Sequence, residues 1–327
     1  MDENNGLHNR PGKKQGLAWM KTITADMHTH LLEKGEKPEK YWQAVKEKKL
    51  DAVAITEHFD CRPEKAYSML LEKKPAGTVL IPGIELRTSI GHVLAYGRDE
   101  GIYSAEGLIE KNLDIKKAIE IAKENSILLS IAHPWGLSYD SAAYLMGEKG
   151  LRALVERQEI GIEAYNGLFG HLGSVFYGSN WIRKPMNFFD FLEKSRIGRK
   201  TRLDRLGRRA KDKLDKKGRE IIERCAKPLE LAEKAAFVTA GSDAHSRERI
   251  GLGVMEMNIE GKPSPEKVLE TVRQRKNVIW VGPYVKKTKK GFYSLEKPKV
   301  NKKEIFSGIK YATKRAIVKK VGSKGKG

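Results

Sequence analysis

The chain has 327 residues and a hydrophobic content of 39%, which suits one large α/β domain with extensions. No apolar run approaches the roughly 20 residues that span a bilayer, and no secretory signal is visible at the start, so a membrane protein is excluded and secretion is not expected. The only two cysteines, Cys61 and Cys225, cannot build a disulfide framework, and we expect a reducing, cytoplasmic setting.

The net charge of +21 is concentrated in two segments. Residues 182–234 hold 18 basic and 9 acidic side chains, and residues 286–327 hold 15 basic and 2 acidic ones, while the rest of the chain is nearly neutral. Basic segments attract polyanions, nucleic acid above all, although a solvated basic surface is the alternative interpretation. No membrane partner is expected.

The predicted elements alternate between strands and helices. After a loose arm over residues 1–20, the patterns predict, in chain order, a strand near 22–28, a helix within 37–50, a strand within 50–58, a helix over 63–74, strands within 77–89 and 91–97, a helix within 113–126, a strand within 127–134, a helix over 141–158 and a strand within 160–167. The segment 182–234 predicts one or two basic amphipathic helices. A strand within 235–245, a helix within 264–276 that begins at an N-cap serine, and a strand within 277–282 follow, and a Lys-rich extension covers 286–327.

Polar side chains follow the apolar strands at their carboxyl ends. In a parallel α/β fold those ends meet on one side of the sheet, where ligands bind. The sequence HTH adds that His28 and His30, two residues apart on a strand, share a face. The side chains in these positions are His28, His30, His58, Glu85, His133, Glu163, Asp243 and His245.

Eight of the chain's histidine and acidic residues form the candidate metal-ligand set. Imidazole together with carboxylate suits Mn, Zn or Fe better than Mg or Ca, and eight ligands are enough for two or three divalent ions. Glu85 is the natural bridge between two ions, and Glu57, Glu163 and Asn166 are candidates to orient ligands, with a structural role as the alternative. The candidate ligands are His28, His30, His58, Glu85, His92, His133, Asp243 and His245.

Three arginines flank the candidate ligands and are candidates for binding substrate phosphate. Arg87 follows Glu85 by two residues, and Arg247 and Arg249 come just after His245. Ordinary surface salt bridges are the alternative for each of them.

The ordered motifs HTH, TEH, GIEL, GHVLAYG, AHP and GSDAH resemble the PHP superfamily, the polymerase and histidinol phosphatase proteins, over about residues 24–282. The resemblance implies a distorted (β/α)7, TIM-like barrel of the PHP type, here with a basic helical insertion and a basic C-terminal extension. It also implies a trinuclear metal site and hydrolysis of phosphate esters. One ion would be held by His28, His30, Glu85 and Asp243, a second by Glu85, His92 and His133, and the third by His58 and His245. Glu85, His133 and Asp243 would be the catalytic residues.

The chain departs from the superfamily pattern directly after the first motif. Members usually continue with HTxxSDG, where an acidic residue or a histidine completes the third ion's ligands. This chain has HTHLLEKGEKPE, in which Glu33 and Glu36 are the nearest acidic residues. The identity of this ligand is therefore open between the two.

The expected activity is that of a metal-dependent phosphoesterase, a hydrolase in which a hydroxide shared by two cations attacks the ester. The basic segments favour a nucleotide or nucleic acid as substrate. The alternatives are a small phosphomonoester, as for a histidinol-phosphatase-like enzyme, and a non-catalytic RNA-binding subunit similar to the PHP-like ribonuclease P protein. The expected organisation is an arm over 1–20, a phosphoesterase domain over 21–285 with the basic insert at about 182–234, and the extension over 286–327.

Overall fold

The computed structural model describes residues 20–171 and 224–274, isolated positions between 187 and 220, and the backbone of three strands after residue 277. The predicted N-terminal arm, most of the basic insert and most of the Lys-rich extension lie outside the described residues. The elements are β1 (Met20–Thr29), α1 (Pro38–Glu47), β2 (Ala52–Ile55), α2 (Pro63–Glu72), β3 (Val79–Thr88), β4 (Gly91–Tyr96), α3 (Ile115–Glu124), β5 (Leu128–Ile131), α4 (Ala142–Leu145), α5 (Gly147–Glu156), β6 (Gly161–Asn166), β7 (Val238–Gly241), β8 (Val254–Glu260), α6 (Pro265–Gln274), β9 (Val278–Val281), β10 (Val285–Lys287) and β11 (Tyr293–Leu295).

The strands β1 to β7 lie side by side in chain order and form a distorted barrel with helices outside it. β1, β2 and β3 are parallel to one another, as are β5, β6 and β7, whereas β4 runs antiparallel to both of its neighbours. The barrel closes by a short parallel bridge between Thr29 and Ala244, where the His30 backbone N–H donates to the Ala244 carbonyl over 2.9 Å. The α/β barrel expected from the sequence is confirmed.

On the edge of β1 where the barrel closes, the first half of the strand pairs with β8, whereas its end bridges to the loop after β7. β8 pairs antiparallel with it from Met20 to Ala25, and β9 continues the sheet beyond β8. The first half of β1 therefore belongs to an extension of the sheet by β8 and β9. Only the end of β1, with His28 and the following His30, lies where the barrel closes.

Apolar faces and capping residues explain why the helices form and where they begin. Pro38 and Pro63 occupy the first turns of α1 and α2, where the missing N–H costs nothing. Asp114 caps α3 by accepting from the backbone N–H groups of Lys116 and Lys117. The predicted serine N-cap of α6 is confirmed, because the Lys267 N–H donates to Ser264 Oγ over 3.3 Å.

The secondary structure differs from the prediction in three places, one of which is the pair of short strands β10 and β11, since no strand was predicted in the Lys-rich extension. The helix predicted over 141–158 is two helices, α4 and α5, because Gly147 adopts a φ of +78° and turns the chain between them. β8 was not predicted, although VMEMNIE alternates between buried and more exposed residues as a half-buried strand does.

No helix among the described residues combines the length and the apolar character that a membrane crossing requires. In the described part of the basic insert, residues 208–209, 212, 216 and 220 are helical, as the amphipathic pattern predicts.

Candidate metal centre

Glu85 lies at the centre of a cluster of five histidines at the carboxyl ends of the barrel strands. Its side chain is 1% exposed, so the carboxylate is almost completely shielded from water. The ring nitrogens of the five histidines lie 2.7–3.5 Å from its two oxygens: His92 Nδ1 (2.7 Å) and His133 Nε2 (3.1 Å) near Oε1, and His58 Nδ1 (3.1 Å), His30 Nε2 (3.4 Å) and His28 Nε2 (3.5 Å) near Oε2.

Asp243 and His245 come to the same cluster from the loop after β7. Asp243 Oδ1 lies 3.8 Å from His28 Nε2 and 3.7 Å from His30 Nε2, and it lies 3.3 Å from His245 Nδ1. The structure thus brings all eight candidate metal ligands together, although 217 residues of sequence separate the first from the last.

Glu33, rather than Glu36, joins this cluster. Glu33 Oε2 lies 2.5 Å from His245 Nε2 and 3.4 Å from His58 Nε2. Glu36 instead accepts a hydrogen bond from the Arg247 backbone N–H over 3.4 Å. The signal for Glu33 was an acid three residues after HTH, but the sequence alone did not separate it from Glu36.

Three groups of ligand atoms have the spacing of metal sites: His30, Glu33, His58 and His245; His28, His30 and Asp243; and His58, Glu85 and His92. The division differs from the one that the resemblance implied. His30 belongs to two groups, and His58 is in a group with Glu85 and His92, whereas His133 contacts Glu85 from outside that group.

Two further buried carboxylates hold the histidines of the HTH motif. Glu163 Oε1 lies 2.9 Å from His28 Nδ1, and Glu163 Oε2 accepts from the His133 N–H (2.7 Å) and from Asn166 Nδ2 (3.0 Å). Glu57 Oε2 accepts from the backbone N–H groups at 31 and 32, and Glu57 Oε1 lies 3.5 Å from His30 Nδ1. The Glu163 carboxylate at His28 Nδ1 keeps that nitrogen protonated and leaves His28 Nε2 as the electron-pair donor.

Asp26 does not belong to the cluster. Its carboxylate accepts from three backbone N–H groups, those of His28, Ser242 and Gly251. Asp26 therefore ties β1 to the loops after β7, and burial raises the pKa of its carboxyl to about 6 despite these hydrogen bonds.

The pKa values of the cluster reflect burial opposed by charge. Burial lowers the pKa of His58 and His133, but Glu85 and other carboxylates outweigh it and raise both pKa values to about 9. Burial also disfavours an ionised Glu85, yet the surrounding histidines hold the pKa of Glu85 well below its usual range. His30 behaves in the opposite way, because burial and the charge of the adjacent His245 lower its pKa to about 4.

The donor set fits divalent cations. His28 Nε2, both ring nitrogens of His30, and Glu85 Oε2 are buried and have no hydrogen-bond partner among the described atoms. Buried polar atoms are rarely left in this state, and a cluster of imidazole nitrogens and carboxylate oxygens is a typical shell for Mn, Zn or Fe.

The backbone is also strained at two of the candidate metal ligands, His133 and Asp243. His133 has a φ of +26° and Asp243 a φ of +52°, values that side chains with a Cβ rarely adopt. Such strain costs about 1–3 kcal/mol per residue and is concentrated at functional sites.

A cavity of about 380 Å³ opens onto the cluster. Arg87 lines it, whereas Arg247 and Arg249 do not. Arg247 pairs with Glu248 over 3.2 Å. Several cavity-lining residues were not predicted from the sequence, among them Phe59, Tyr139 and Phe169, since a lone aromatic residue outside the strand pattern gives no signal of its position.

Residues 229–277 match the family model described as PHP-associated. This match confirms the resemblance to the PHP superfamily that the ordered motifs indicate. No curated protein matches the chain in sequence.

Several solved structures are similar to this chain at low identity. A two-domain protein from Bacteroides vulgatus that contains a predicted PHP-like metal-dependent phosphoesterase is 16% identical, with a TM-score of 0.47 over 80% of this chain and 65% of that one. PsfC from Pseudomonas syringae is 15% identical, with a TM-score of 0.49 over 80% of this chain and 91% of that one. The lesion-specific endonuclease EndoQ from Pyrococcus furiosus is 14% identical, with a TM-score of 0.43 over 82% of this chain and 61% of that one. This chain thus spans less than two thirds of the first and third of these proteins.

Proposed function

We propose that this protein is a metal-dependent phosphoesterase, a hydrolase that acts on phosphate esters. The observation that carries the proposal is the buried Glu85 carboxylate with five histidine ring nitrogens within 3.5 Å, beside a cavity wide enough for a substrate. A cluster this polar is costly to bury unless cations complete it.

The ligands of the proposed ions are the eight predicted residues together with Glu33. Two or three divalent ions, Mn, Zn or Fe, suit this mixture of nitrogen and oxygen donors. Glu85, whose two carboxylate oxygens face five histidine rings, is the candidate that would lie between ions. Glu85, His133 and Asp243 are the proposed catalytic residues.

When bound, divalent cations act as Lewis acids and neutralise the charge that develops on phosphoryl oxygens. The residues of the chain do the rest of the work. Glu163 fixes the tautomer of His28, so that Nε2 of this ring presents a lone pair to the cluster, and Glu57 holds the backbone that follows His30. Arg87 extends into the cavity beside Glu85 and binds a phosphoryl oxygen of the substrate.

Ser141 and Glu85 hold the His133 ring from its two sides. Ser141 Oγ lies 3.3 Å from His133 Nδ1, and Glu85 Oε1 lies 3.1 Å from His133 Nε2. The ring is therefore preorganised toward the cluster before any substrate arrives. Preorganised groups need no reorganisation during the reaction, which is the main way in which a protein lowers the barrier to phosphoryl transfer.

We propose a nucleotide or a nucleic acid as the substrate class, supported by the basic residues of segments 182–234 and 286–327. A small phosphomonoester is the second candidate, and the cavity favours it, because about 380 Å³ lies at the lower end of the volumes that enclose single small molecules. The division into an arm over 1–20, a domain over 21–285 and an extension over 286–327, and a cytoplasmic location, are also proposals. The location is supported by the two free cysteines.

The test is hydrolysis by the purified full-length chain, after metal analysis, of a panel of phosphomonoesters, nucleoside bisphosphates and short RNA. We expect Mn²⁺-stimulated release of phosphate that His28→Ala and Asp243→Ala abolish. Glu156→Ala, at an exposed residue of α5 that pairs with Lys234, is the matched control and should be fully active. Unchanged turnover in both site variants would refute the assignment, provided that thermal melts show all the variants folded.

A further inference from the structure

The cavity beside the proposed metal centre has two chemically different parts. One part consists of Arg87 and of those candidate ligands that line the cavity, among them His58, Glu85 and His133. The other part is apolar and largely aromatic, and it is formed by Phe59, Leu137, Tyr139, Leu168 and Phe169. A substrate that fills this cavity therefore contacts both charged groups, which suit a phosphate, and apolar side chains, which suit a flat, apolar group.

The aromatic residues differ in how much of their surface a ligand can reach. Phe169 is 6% exposed, and its ring lies 6.3 Å from the His133 ring, so it supports a candidate ligand rather than a substrate. Tyr139 is 55% exposed and lies in the loop between β5 and α4, and Phe59 is partly buried directly after His58. Of the aromatic residues that line the cavity, Tyr139 and Phe59 therefore have the most surface left for a ligand to contact.

Charge in the cavity argues against an extended polyanion inside it. Of the described residues that line the cavity, Arg87 is the one with a permanent positive charge, and Asp60 and Asp140 line it too. Asp140 Oδ1 already accepts from the Leu137 N–H and the Ser141 hydroxyl. Apart from the proposed ions, the cavity thus has one cationic side chain to contact a phosphate, and its acidic groups away from the ions would repel further phosphates.

We infer that the cavity selects phosphate esters whose leaving group carries a planar aromatic ring, such as a nucleoside, and that Tyr139 is the residue that makes this selection by stacking on that ring. The inference rests on the proposed phosphoesterase activity and narrows it to a single nucleotide unit, either free or at the end of a strand. Stacking on an aromatic side chain tolerates any base, because every base has a π face. A sugar phosphate without a base fills the cationic part of the cavity and leaves the aromatic part in contact with water.

The experiment compares adenosine 5′-monophosphate with ribose 5-phosphate, which has the same ester but lacks the base, on the metal-loaded full chain. We expect kcat/KM to be at least about tenfold higher for the nucleotide. Tyr139→Ala should lower the ratio of the two kcat/KM values about tenfold, mainly through KM, while Tyr139→Phe keeps the ratio because it keeps the ring. Tyr144→Ala is the matched control, since Tyr144 is a 45% exposed tyrosine on the nearby helix α4 that does not line the cavity.

A second measurement separates this inference from the proposed activity. Binding of adenosine, which has no phosphate, is followed by ligand-observed NMR on the wild-type chain and on Tyr139→Ala. Adenosine binding that Tyr139→Ala weakens, in a chain that hydrolyses no ester, would refute the proposed activity and confirm only that Tyr139 stacks on a base. Hydrolysis of both esters at similar efficiency, with a ratio that Tyr139→Ala does not change, would overturn the inference and leave the activity standing.

Discussion

Glu163→Gln tests whether the candidate cluster is a metal site held in place by surrounding carboxylates. The carboxylate of Glu163 receives hydrogen bonds at both oxygens, from His28 Nδ1 at 2.9 Å on one side and from the His133 N–H at 2.7 Å on the other. An amide has one acceptor oxygen and one NH₂ group. If the oxygen serves the His133 N–H, the NH₂ group faces His28 Nδ1 and favours the tautomer with the proton on Nε2, which then cannot bind a cation.

The magnitude follows from this single change of tautomer. Loss of an orienting carboxylate typically weakens metal binding about ten- to a hundredfold, which corresponds to roughly 1.4–2.8 kcal/mol. We expect Glu163→Gln to weaken by this factor the binding of the ion for which His28 is a candidate ligand. The side chains have nearly the same volume, so cavity formation adds little to the effect.

The assay is calorimetric titration of the metal-free full chain with Mn²⁺ and with Zn²⁺. Glu159→Gln is the matched control: Glu159 is also a glutamate in an ion pair, with Lys123 at 2.6 Å, but this pair lies on the surface, where such pairs contribute little. Wild-type affinity in Glu163→Gln would refute the reasoning. An equal loss of affinity in both variants would show that the effect is not specific to the cluster.

Three further predictions concern packing, protons and the basic extension. Gly241→Ala should destabilise the fold by about 1–3 kcal/mol in denaturant melts, because the new Cβ would overlap with the Cβ of His28. Gly150→Ala on helix α5 is the control and should be neutral or stabilising. Metal binding at pH 7.5 should release protons, and metal affinity should rise with pH up to about 9, because His58 and His133 have a pKa of about 9 in the metal-free chain. Calorimetric titrations in buffers of different ionisation enthalpy measure this release. Binding heats that do not depend on the buffer would contradict the prediction. Deletion of 286–327 should spare hydrolysis of small esters and weaken RNA binding in a gel-shift assay; equal loss of both would place the extension in the barrel domain.

The barrel could be predicted from the sequence because its strands are short apolar runs separated by amphipathic helices. In β2, all four residues of AVAI are buried, as a continuous apolar run requires of a strand covered on both faces. The antiparallel direction of β4 could not be read from composition. It follows from the short connection after Thr88, where Gly91 with a φ of +108° turns the chain back.

The candidate ligands could be predicted because they obey a rule of position, whereas the cavity could not. Most of the ligands lie near or just after the carboxyl end of a strand, so the strand pattern locates them, whereas His92 lies at the start of the antiparallel β4. Glu33 lies in a turn after β1, where the path of the chain depends on the backbone bonds of Glu57 to residues 31 and 32, and no local pattern encodes that contact. Tyr139 is a similar case. The loop that contains it is held against β4, where the His92 N–H donates to the Asp140 carbonyl over 2.8 Å, and these residues are far apart in sequence.

The carboxylates around the HTH motif also connect the assembly of the site to the closure of the barrel. Glu163 lies on β6 and bonds to the end of β1 through His28 and to the end of β5 through the His133 N–H. Glu57, after β2, bonds to the backbone that follows His30. The His28 imidazole and the backbone beside His30 and His133 are therefore held from strands other than their own, and none of these bonds can form before the strand ends meet. A chain with an open barrel has the same ligands in sequence but no fixed tautomers, so it binds metal weakly. The cluster and the closed sheet must form together, which explains why the buried charge, costly by itself, lies at the seam where β1 meets the loop after β7.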